Sequence, residues 1–511
     1  MKTPPSGRAR FVVRHRLFFA AAAVLVLLRI PSLFEPHWYL DEGMYATIGA
    51  HIRDGHVLYR DIYDHKPQLI FYLYALLSLT GNTLVAAKVL NILAGIVTLG
   101  GIYALSRRRF LFGRRATAVA LVAATILLGT PVLEGNIANA ENFFLPLTVW
   151  GLYLGLTRSS RGLLLAGLLF GIAFHIKLHP LFDLGALAVY LLITADSNKE
   201  RIRQTGLLAL GFVAPAVAFI LFELSRGTFD LYIAAAYLDA YAYSGESAES
   251  YIQQTLTKIV VLLTGLTAAV TVWRKTHNRT VTFILILLMF EVFAAVLSGR
   301  VFYHYLLQLV PGVSLGAAWV YRNLFRDRSP ADKVTAAAVA AGLMFVFAAY
   351  FNSSYALPYQ NPNRRLPDSW FAAEYYNNFA RHLPSGFADD SYLLFFSDRP
   401  LKLRSIRNVL PEDTSSVYIY SDLGWAYDYV DQHSPTRIFV AFQLYYRNDD
   451  RDRLATMDEL YQDPPQYLMI DETRDTFDQL DTFLAENYRQ SGRENEFVLY
   501  TYTARATARA R

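Results

Sequence analysis

Long, uninterrupted runs of apolar residues fill the chain up to Phe351. They show neither the strict alternation of half-buried strands nor the 3.6-residue spacing of surface helices. Because about 20 apolar residues in a row cross a bilayer as a helix, the pattern predicts a polytopic α-helical membrane protein with about eleven transmembrane helices. The predicted spans are residues 17–34, 84–105, 116–132, 142–157, 162–176, 180–195, 206–224, 257–273, 280–298, 305–321 and 334–351.

The connections between these runs alternate in charge. One set is rich in arginine and lysine, and it contains "SRRRFLFGRR", "RSSR", "DSNKERIR", "RKTHNR" and "YRNLFRDRSPADK". The other set contains an acidic loop after the first run, "LEGNIANAE", "KLHP" and "GRVFYH". Since basic loops stay on the cytoplasmic side, the alternation predicts an integral protein of the cell membrane with a cytoplasmic N-terminus.

One apolar segment, residues 68–80, does not fit this alternation as a span. Counting it as a crossing would move the basic loop after Leu105 to the outer side, and the segment is also short. We therefore expect residues 68–80 to form an interfacial or re-entrant helix on the outer face.

After Phe351 the chain becomes more polar, and no later run is long enough to span a bilayer. The sequence thus predicts two domains: a transmembrane domain at residues 1–351 and an extracytoplasmic domain at 352–511. Helices are expected at residues 370–382 and 477–488, which makes the second domain a small soluble α/β fold. Its expected strands are "YLLFF", "VYIYS", "RIFVA", "YLMID" and "FVLYTYT".

Composition excludes several other classes. The formal net charge of +5 is small, and the cytoplasmic loops already account for the excess of bases, so no nucleic-acid partner is indicated. The chain contains no cysteine, which excludes disulfides and thiolate metal sites.

Polar and ionisable residues collect at the predicted outer ends of the helices. Placing such residues near hydrocarbon costs free energy, so their concentration on one face suggests a functional site. A carboxylate beside cations suits a reaction in which one group removes a proton while others stabilise a leaving phosphate. The residues on this face are Asp41, Glu42, Asp64, His65, Lys66, Asn139, Glu141, Lys177, His179, Arg300, Tyr303 and His304.

The stretch "LDEGMYATIGAHIRDGHVLYRDIYDHKPQLIFYLYAL" resembles the first external loop of GT-C superfamily glycosyltransferases. The resemblance is to the dolichyl-phosphate-mannose protein mannosyltransferases and the lipid A aminoarabinose transferase. An acidic pair after the first helix, a "G-x-x-x-Y-x-D" stretch and "KP" before an apolar helix follow in the order of that family. "ENFFLP", "HIKLHP" and "GRVFYHYLLQLVPG" resemble later, looser family stretches.

The resemblance implies an inverting glycosyltransferase that takes a hexosyl or pentosyl group from a polyprenyl-phosphate sugar. The acceptor would be an extracytoplasmic protein, lipid or polysaccharide. Asp41 would be the general base, with Glu42 beside it as a second catalytic candidate, and Lys66 would contact the lipid phosphate. No cofactor is required, although a divalent metal stays open. The substrate-binding candidates are Asp64, His65, Lys66, Glu141, Lys177, Arg300, Tyr303 and His304.

Simpler explanations exist for these residues. Asp41 and Glu42 would also suit a solvated helix N-terminus, and Lys66 a snorkelling anchor. His175 and His179 have a spacing that permits metal binding, but Pro180 interrupts the helix there. At the level of the whole chain, the alternatives are a polytopic transporter of a lipid-linked or sugar substrate and a catalytically silent scaffold. Transporters place polar groups near the midplane and show repeated halves, and neither feature is evident in this sequence.

Overall fold

The computed structural model describes residues 7–239, 248–298, 302–325, most positions between 333 and 344, 368–445 and 450–503. The chain divides into two compact units. Unit 1 comprises Met1–Phe34, Lys88–Phe222 and Glu246–Asn377, and unit 2 comprises Glu35–Ala87, Glu223–Gly245 and Asn378–Arg511. The acidic loop after the first apolar run therefore belongs to the same unit as the C-terminal segment. The predicted domain boundary at residues 351 and 352 lies outside the described residues, so that division stays a prediction.

In the described residues from 7 to 324, most of the chain is helical. Side-chain caps begin several of the helices: Asn139 accepts the Ala140 N–H at 2.8 Å, and Ser159 accepts the Gly162 N–H at 3.1 Å. These helices are α1 (Gly7–Arg14), α2 (Arg16–Arg29), α3 (Leu40–Arg53), α4 (Leu69–Ser78), α5 (Thr83–Ala104), α6 (Arg114–Gly129), α7 (Ala140–Gly155), α8 (Ser160–Phe174), α9 (Pro180–Thr194), α10 (Asn198–Arg226), α11 (Phe229–Ile233), α12 (Ala248–Thr276), α13 (Arg279–Val296) and α14 (Val310–Leu324).

Each of the first ten predicted spans overlaps with one of these helices, whereas most of residues 334–351 lies outside the described part. Five helical segments in the described residues are long and apolar enough to cross a membrane. These segments are Arg16–Phe34, Thr83–Arg109, Asn198–Arg226, Thr255–Thr276 and Arg279–Val296. A helical membrane protein is confirmed, while the count of eleven spans stays a prediction.

The acidic loop that follows the first apolar run contains helix α3. Helix α3 carries Asp41 and Glu42 in its first turn and His51 and Arg53 in its last, which is the charge order that the helix dipole favours. Helix α4 has ten residues, or about 15 Å at 1.5 Å per residue, too short for a hydrocarbon core of about 30 Å. The helix predicted near residues 68–80 is confirmed, and its interfacial placement stays a prediction.

The C-terminal part of unit 2 contains one four-stranded sheet in the order β1–β2–β4–β3. Strand β1 pairs in parallel with β2, and β4 pairs antiparallel with both β2 and β3. The strands are β1 (Val417–Tyr420), β2 (Tyr467–Asp471), β3 (Tyr488–Glu494) and β4 (Phe497–Tyr502). The helices after residue 367 are α15 (Asp368–His382), α16 (Asp390–Phe396), α17 (Arg399–Val409), α18 (Ala426–Val430), α19 (Arg451–Gln462) and α20 (Asp478–Asn487).

Two of the five predicted strands are wrong. "YLLFF" lies in α16, where Asp389 accepts the Ser391 N–H at 2.7 Å and caps a helix. "RIFVA" forms no strand, because the backbone groups at its two ends do not pair with a neighbouring strand. The Arg437 carbonyl accepts the Tyr63 N–H, and the Ala441 N–H donates to the Ser421 carbonyl. The sequence also missed β3, since "YRQSGRE" is a polar edge strand without an apolar run.

Candidate active site

Asp41, Asp64 and Lys66 form the loop cluster of unit 2. Lys66 Nζ lies 3.1 Å from Asp64 Oδ2 and 3.4 Å from Asp41 Oδ1. The Asp64 side chain is fully buried, whereas 25% of the Asp41 side chain is exposed. Asp41 is therefore the carboxylate of this cluster that an incoming group reaches, and Lys66 joins it to a buried counter-charge.

Asp64 is held as an anion by its neighbours. The His65 N–H donates to Asp64 Oδ1 at 2.7 Å, and His65 Nδ1 lies 2.9 Å from the same oxygen. Burial alone would raise the pKa of Asp64, but the charges of Lys66 and His65 outweigh burial and hold this pKa well below its ordinary value. Asp64 thus fixes Lys66 in place as a permanent partner rather than exchanging protons near neutral pH.

The two residues of the acidic pair have different surroundings. Glu42 is only 1% exposed, so the explanation that both carboxylates are solvated is wrong for this residue. Burial, followed by the charges of Glu42 and Asp41, raises the pKa of the neighbouring Tyr74 well above its usual range. Of the predicted catalytic pair, Asp41 has the exposure that a general base needs.

The N-terminal half of α3 is held by contacts with residues 424 and 425. The Trp425 indole N–H donates to the Tyr39 carbonyl at 2.9 Å, and the Thr47 hydroxyl donates to the Gly424 carbonyl at 2.8 Å. A Cβ on Gly43 would lie 2.5 Å from the Trp425 nitrogen. The backbones thus approach closely at Gly43 and Gly424, and this contact fixes the turn that carries Asp41.

We expect Gly424→Ala to destabilise unit 2 and to displace Asp41. The added Cβ would lie 2.6 Å from the Leu40 carbonyl and 2.8 Å from the Met44 nitrogen, both of which are backbone atoms. Overpacking of this kind costs about 1–3 kcal/mol, measurable by thermal unfolding of the purified protein. Gly206→Ala is the control, because its Cβ meets open space. Equal losses in the two variants would contradict the expectation.

His51 makes a second connection between α3 and the C-terminal part of unit 2. Its Nε2 accepts the Ser434 N–H at 2.8 Å, so Nδ1 carries the ring proton and donates to the Thr47 carbonyl at 2.7 Å. Burial, together with His433 and His56, lowers the pKa of His51 to about 3. The imidazole is therefore neutral in the folded protein at physiological pH.

This neutral histidine predicts a loss of stability in mild acid. An unfolded histidine has a pKa of about 6.5, so between about pH 6.5 and 3 the unfolded chain binds a proton that folded His51 does not. The stabilisation is complete above that window and falls as the pH decreases through it. We expect the Tm to fall from pH 7.5 to 5, and less steeply in His51→Gln. His382→Gln, which removes another imidazole of unit 2, should follow the wild type; parallel curves for all three would contradict the role of His51.

Glu134, Glu141, Lys177 and His304 form the rim cluster of unit 1. Lys177 pairs with Glu141, and its ammonium lies 4.5 Å from the centroid of the Tyr305 ring. His304 Nδ1 lies 2.6 Å from Glu134 Oε2, while Nε2 lies 4.0 Å from Glu141 Oε1. Glu141, in the first turn of α7, is buried between a lysine and a histidine. The structure thus brings three of the predicted substrate-binding residues together within unit 1.

Known proteins resemble both the sequence and the fold. Residues 64–221 match the family described as "Dolichyl-phosphate-mannose-protein mannosyltransferase". No curated protein matches the sequence. The chain is similar to ArnT from Cupriavidus metallidurans bound to undecaprenyl phosphate, with a TM-score of 0.57, 16% identity and coverage of 97% of this chain and 99% of ArnT. Its apo state gives a TM-score of 0.55, 17% identity and coverage of 98% and 99%.

The chain has the GT-C fold. The likeness to ArnT spans nearly the full length of both chains, so it includes the helical part and the C-terminal segment. The GT-C resemblance predicted from the external loop is thereby confirmed.

The other candidate residues lie in different surroundings. Tyr303 is buried at the start of a 3-10 helix (Tyr303–Leu309), and Arg300 lies outside the described residues. His175 packs on Phe219 with ring centroids 4.3 Å apart, whereas His179 packs on Tyr305. Within the described residues, no group of three or more histidine and carboxylate side chains has the geometry to hold a metal ion.

Sequence reasoning missed the residues that hold the loop at residues 38–67 in place. Arg437 Nε donates to the Tyr59 carbonyl at 2.9 Å, and its guanidinium lies over the Tyr63 ring. Trp425 and Ser434 were likewise not singled out. The only local signal was the pair of glycines, Gly43 and Gly424, and nothing in the sequence indicates that they meet.

Proposed function

We propose that the protein is an inverting glycosyltransferase that moves a sugar from a polyprenyl-phosphate donor to an extracytoplasmic acceptor. The observation that carries the proposal is the loop cluster, in which the accessible carboxylate of Asp41 lies 3.4 Å from Lys66. The GT-C fold supports the reaction class. The likeness to ArnT, whose structure contains undecaprenyl phosphate, supports a lipid phosphate as the leaving group.

In the proposed reaction, Asp41 accepts the proton of an acceptor hydroxyl as the oxygen attacks the anomeric carbon. The bond from that carbon to the phosphate oxygen breaks on the opposite face, and its electron pair leaves with the polyprenyl phosphate. Lys66 stabilises the negative charge that develops on the phosphate. Because attack and departure are in line, one base is sufficient and no covalent intermediate forms on the protein.

Asp64 and His65 have a supporting role in this proposal. Buried Asp64 holds the Lys66 ammonium at 3.1 Å, and His65 contributes a backbone hydrogen bond to Asp64. Lys66 thereby presents its charge to the phosphate without losing its side-chain position. We further propose that Glu141, Lys177, Arg300, Tyr303 and His304 contribute to substrate binding, and that residues 1–351 form the membrane domain and 352–511 the extracytoplasmic one.

The test is turnover with a panel of labelled polyprenyl-phosphate sugars, using the purified full chain in lipid and following release of the label from the lipid. We expect one donor to be consumed with release of polyprenyl phosphate. Movement of an intact donor across the bilayer, without cleavage of the sugar-phosphate bond, would replace the proposal with the transporter alternative.

A further inference from the structure

A cavity of about 680 Å³ opens in the C-terminal part of unit 2, away from the loop cluster along the chain. Its lining begins at Tyr420, the last residue of β1, and includes the loop that follows β2. In open α/β sheets, ligands bind in the crevice outside the carboxyl ends of parallel strands, and β1 and β2 are such a pair. The lining residues that carry the inference are Tyr420, Asp422, Tyr445, Asp450, Arg453, Arg474, Asp475 and Asp478.

Aromatic side chains supply one half of the recognition chemistry. Tyr445 remains 43% exposed, although its hydroxyl lies 3.1 Å from the Tyr420 hydroxyl. The Tyr420 hydroxyl donates its hydrogen bond to the Asp475 backbone carbonyl at 2.8 Å. In the hydrogen bond between the two tyrosines, Tyr445 is therefore the donor. Arg453 also interacts with the Tyr445 side chain: its guanidinium lies 5.0 Å from the ring centroid, and it is a hydrogen-bond partner of the Tyr445 hydroxyl. The part of the Tyr445 ring that stays exposed offers an apolar surface beside polar groups, as carbohydrate binding requires.

The charges in the cavity restrict the ligand further. Four aspartates and two arginines line it, a formal charge of −2, and each arginine is paired with a lining aspartate. Arg474 pairs with Asp422, and Arg453 pairs with Asp450. A phosphate or a uronic acid would meet arginines whose charge is already neutralised and two further carboxylates. A neutral or amino sugar can instead donate its hydroxyl or ammonium protons to those oxygens.

We propose that this cavity binds an uncharged or amino-bearing saccharide of the acceptor. The assignment of the ligand to the acceptor rests on the proposed function, whereas saccharide binding stands on the cavity itself. The volume lies within the range of about 300–1,000 Å³ that is typical of small-ligand sites, so one or two sugar rings fit.

The experiment measures saccharide binding to the full chain in lipid nanodiscs by saturation-transfer NMR and calorimetry. The probes are methyl mannoside, lactose and glucosamine, beside glucose 6-phosphate, glucuronate and a short lysine-rich peptide. We expect a neutral or amino sugar to bind and Tyr445→Ala to weaken it about tenfold, the effect of losing one aromatic contact. Asp475→Asn, which changes an exposed carboxylate, should also weaken binding. Tyr461→Ala, a comparably exposed tyrosine of α19 outside the cavity, should leave it unchanged.

Three results would overturn the proposal: no sugar binds, Tyr445→Ala and Asp475→Asn bind as the wild type does, or only the anionic sugars or the basic peptide bind. Repeating the measurement with Asp41→Asn separates the two proposals. Sugar binding without turnover of any donor by the wild type would refute the proposed function but support saccharide binding in the cavity. Turnover that depends on Asp41, without sugar binding, would support the proposed function and refute saccharide binding in the cavity.

Discussion

Asp41→Asn is expected to lower kcat for sugar transfer by about 10²–10⁴-fold, the usual loss when a general base is removed. Asparagine keeps the size of the side chain and a hydrogen-bond acceptor for Lys66, but its amide oxygen does not take up the acceptor proton. The donor should still bind, because Lys66, the proposed phosphate contact, remains. We therefore expect the KM for the donor to change little. Turnover is measured as label released from the lipid-linked donor.

Asp54→Asn is the matched control for this prediction. Asp54 follows the other end of α3, its side chain is 33% exposed against 25% for Asp41, and it pairs with Arg53. The control should retain its activity, because Asp54 lies outside the loop cluster. Comparable kcat values for Asp41→Asn and Asp54→Asn would rule out Asp41 as the base, provided that both variants insert and unfold as the wild type does.

Lys66→Met is expected to reduce both stability and activity. Removing the ammonium leaves the fully buried carboxylate of Asp64 without its lysine partner, and breaking a buried pair in this way costs about 3–5 kcal/mol. His65 still lies near Asp64, so the loss should fall at the lower end of that range. The variant also lacks the charge that stabilises the leaving phosphate in the proposed reaction. Thermal unfolding and donor turnover are measured on the same preparation.

A double variant separates the two roles of Lys66. Asp64→Asn/Lys66→Met removes both charges while keeping similar volumes, so most of the lost stability should return. Turnover should stay low, because no cation is available for the phosphate. If the double variant recovers wild-type turnover, the role of Lys66 is to balance Asp64 and the phosphate contact is wrong.

The helical part of the fold follows from the sequence because a bilayer imposes a simple rule. A segment in hydrocarbon must satisfy its own backbone groups and present apolar side chains, so a long apolar run becomes a helix whatever its neighbours are. Helices α5 and α9 accordingly begin and end within one residue of the predicted spans. The short helix α4 was likewise predicted from its length and from the charges around it.

The C-terminal strands were less predictable because a short apolar run fits a buried strand or a buried helix equally well. Residues 392–396 became helix α16 because Asp389 caps its start. Residues 437–441 also contain an apolar run, yet their end groups bond to Tyr63 and to Ser421. Such partners lie far away in the chain, and no local pattern reveals them.

The sequence by itself determined the kind of protein, the GT-C resemblance and the identity of the candidate base and phosphate contact. Local order in the external loop was enough, since Asp41, Asp64 and Lys66 all lie in one short stretch. The tertiary structure decided which carboxylate is accessible, that Asp64 is the buried partner of Lys66, and that Gly424, Trp425 and Ser434 hold α3 in place. Burial and close backbone approach depend on segments hundreds of residues apart, as with Thr47 and Gly424, which are 377 positions apart. Composition and spacing carry no information about which of these segments meet.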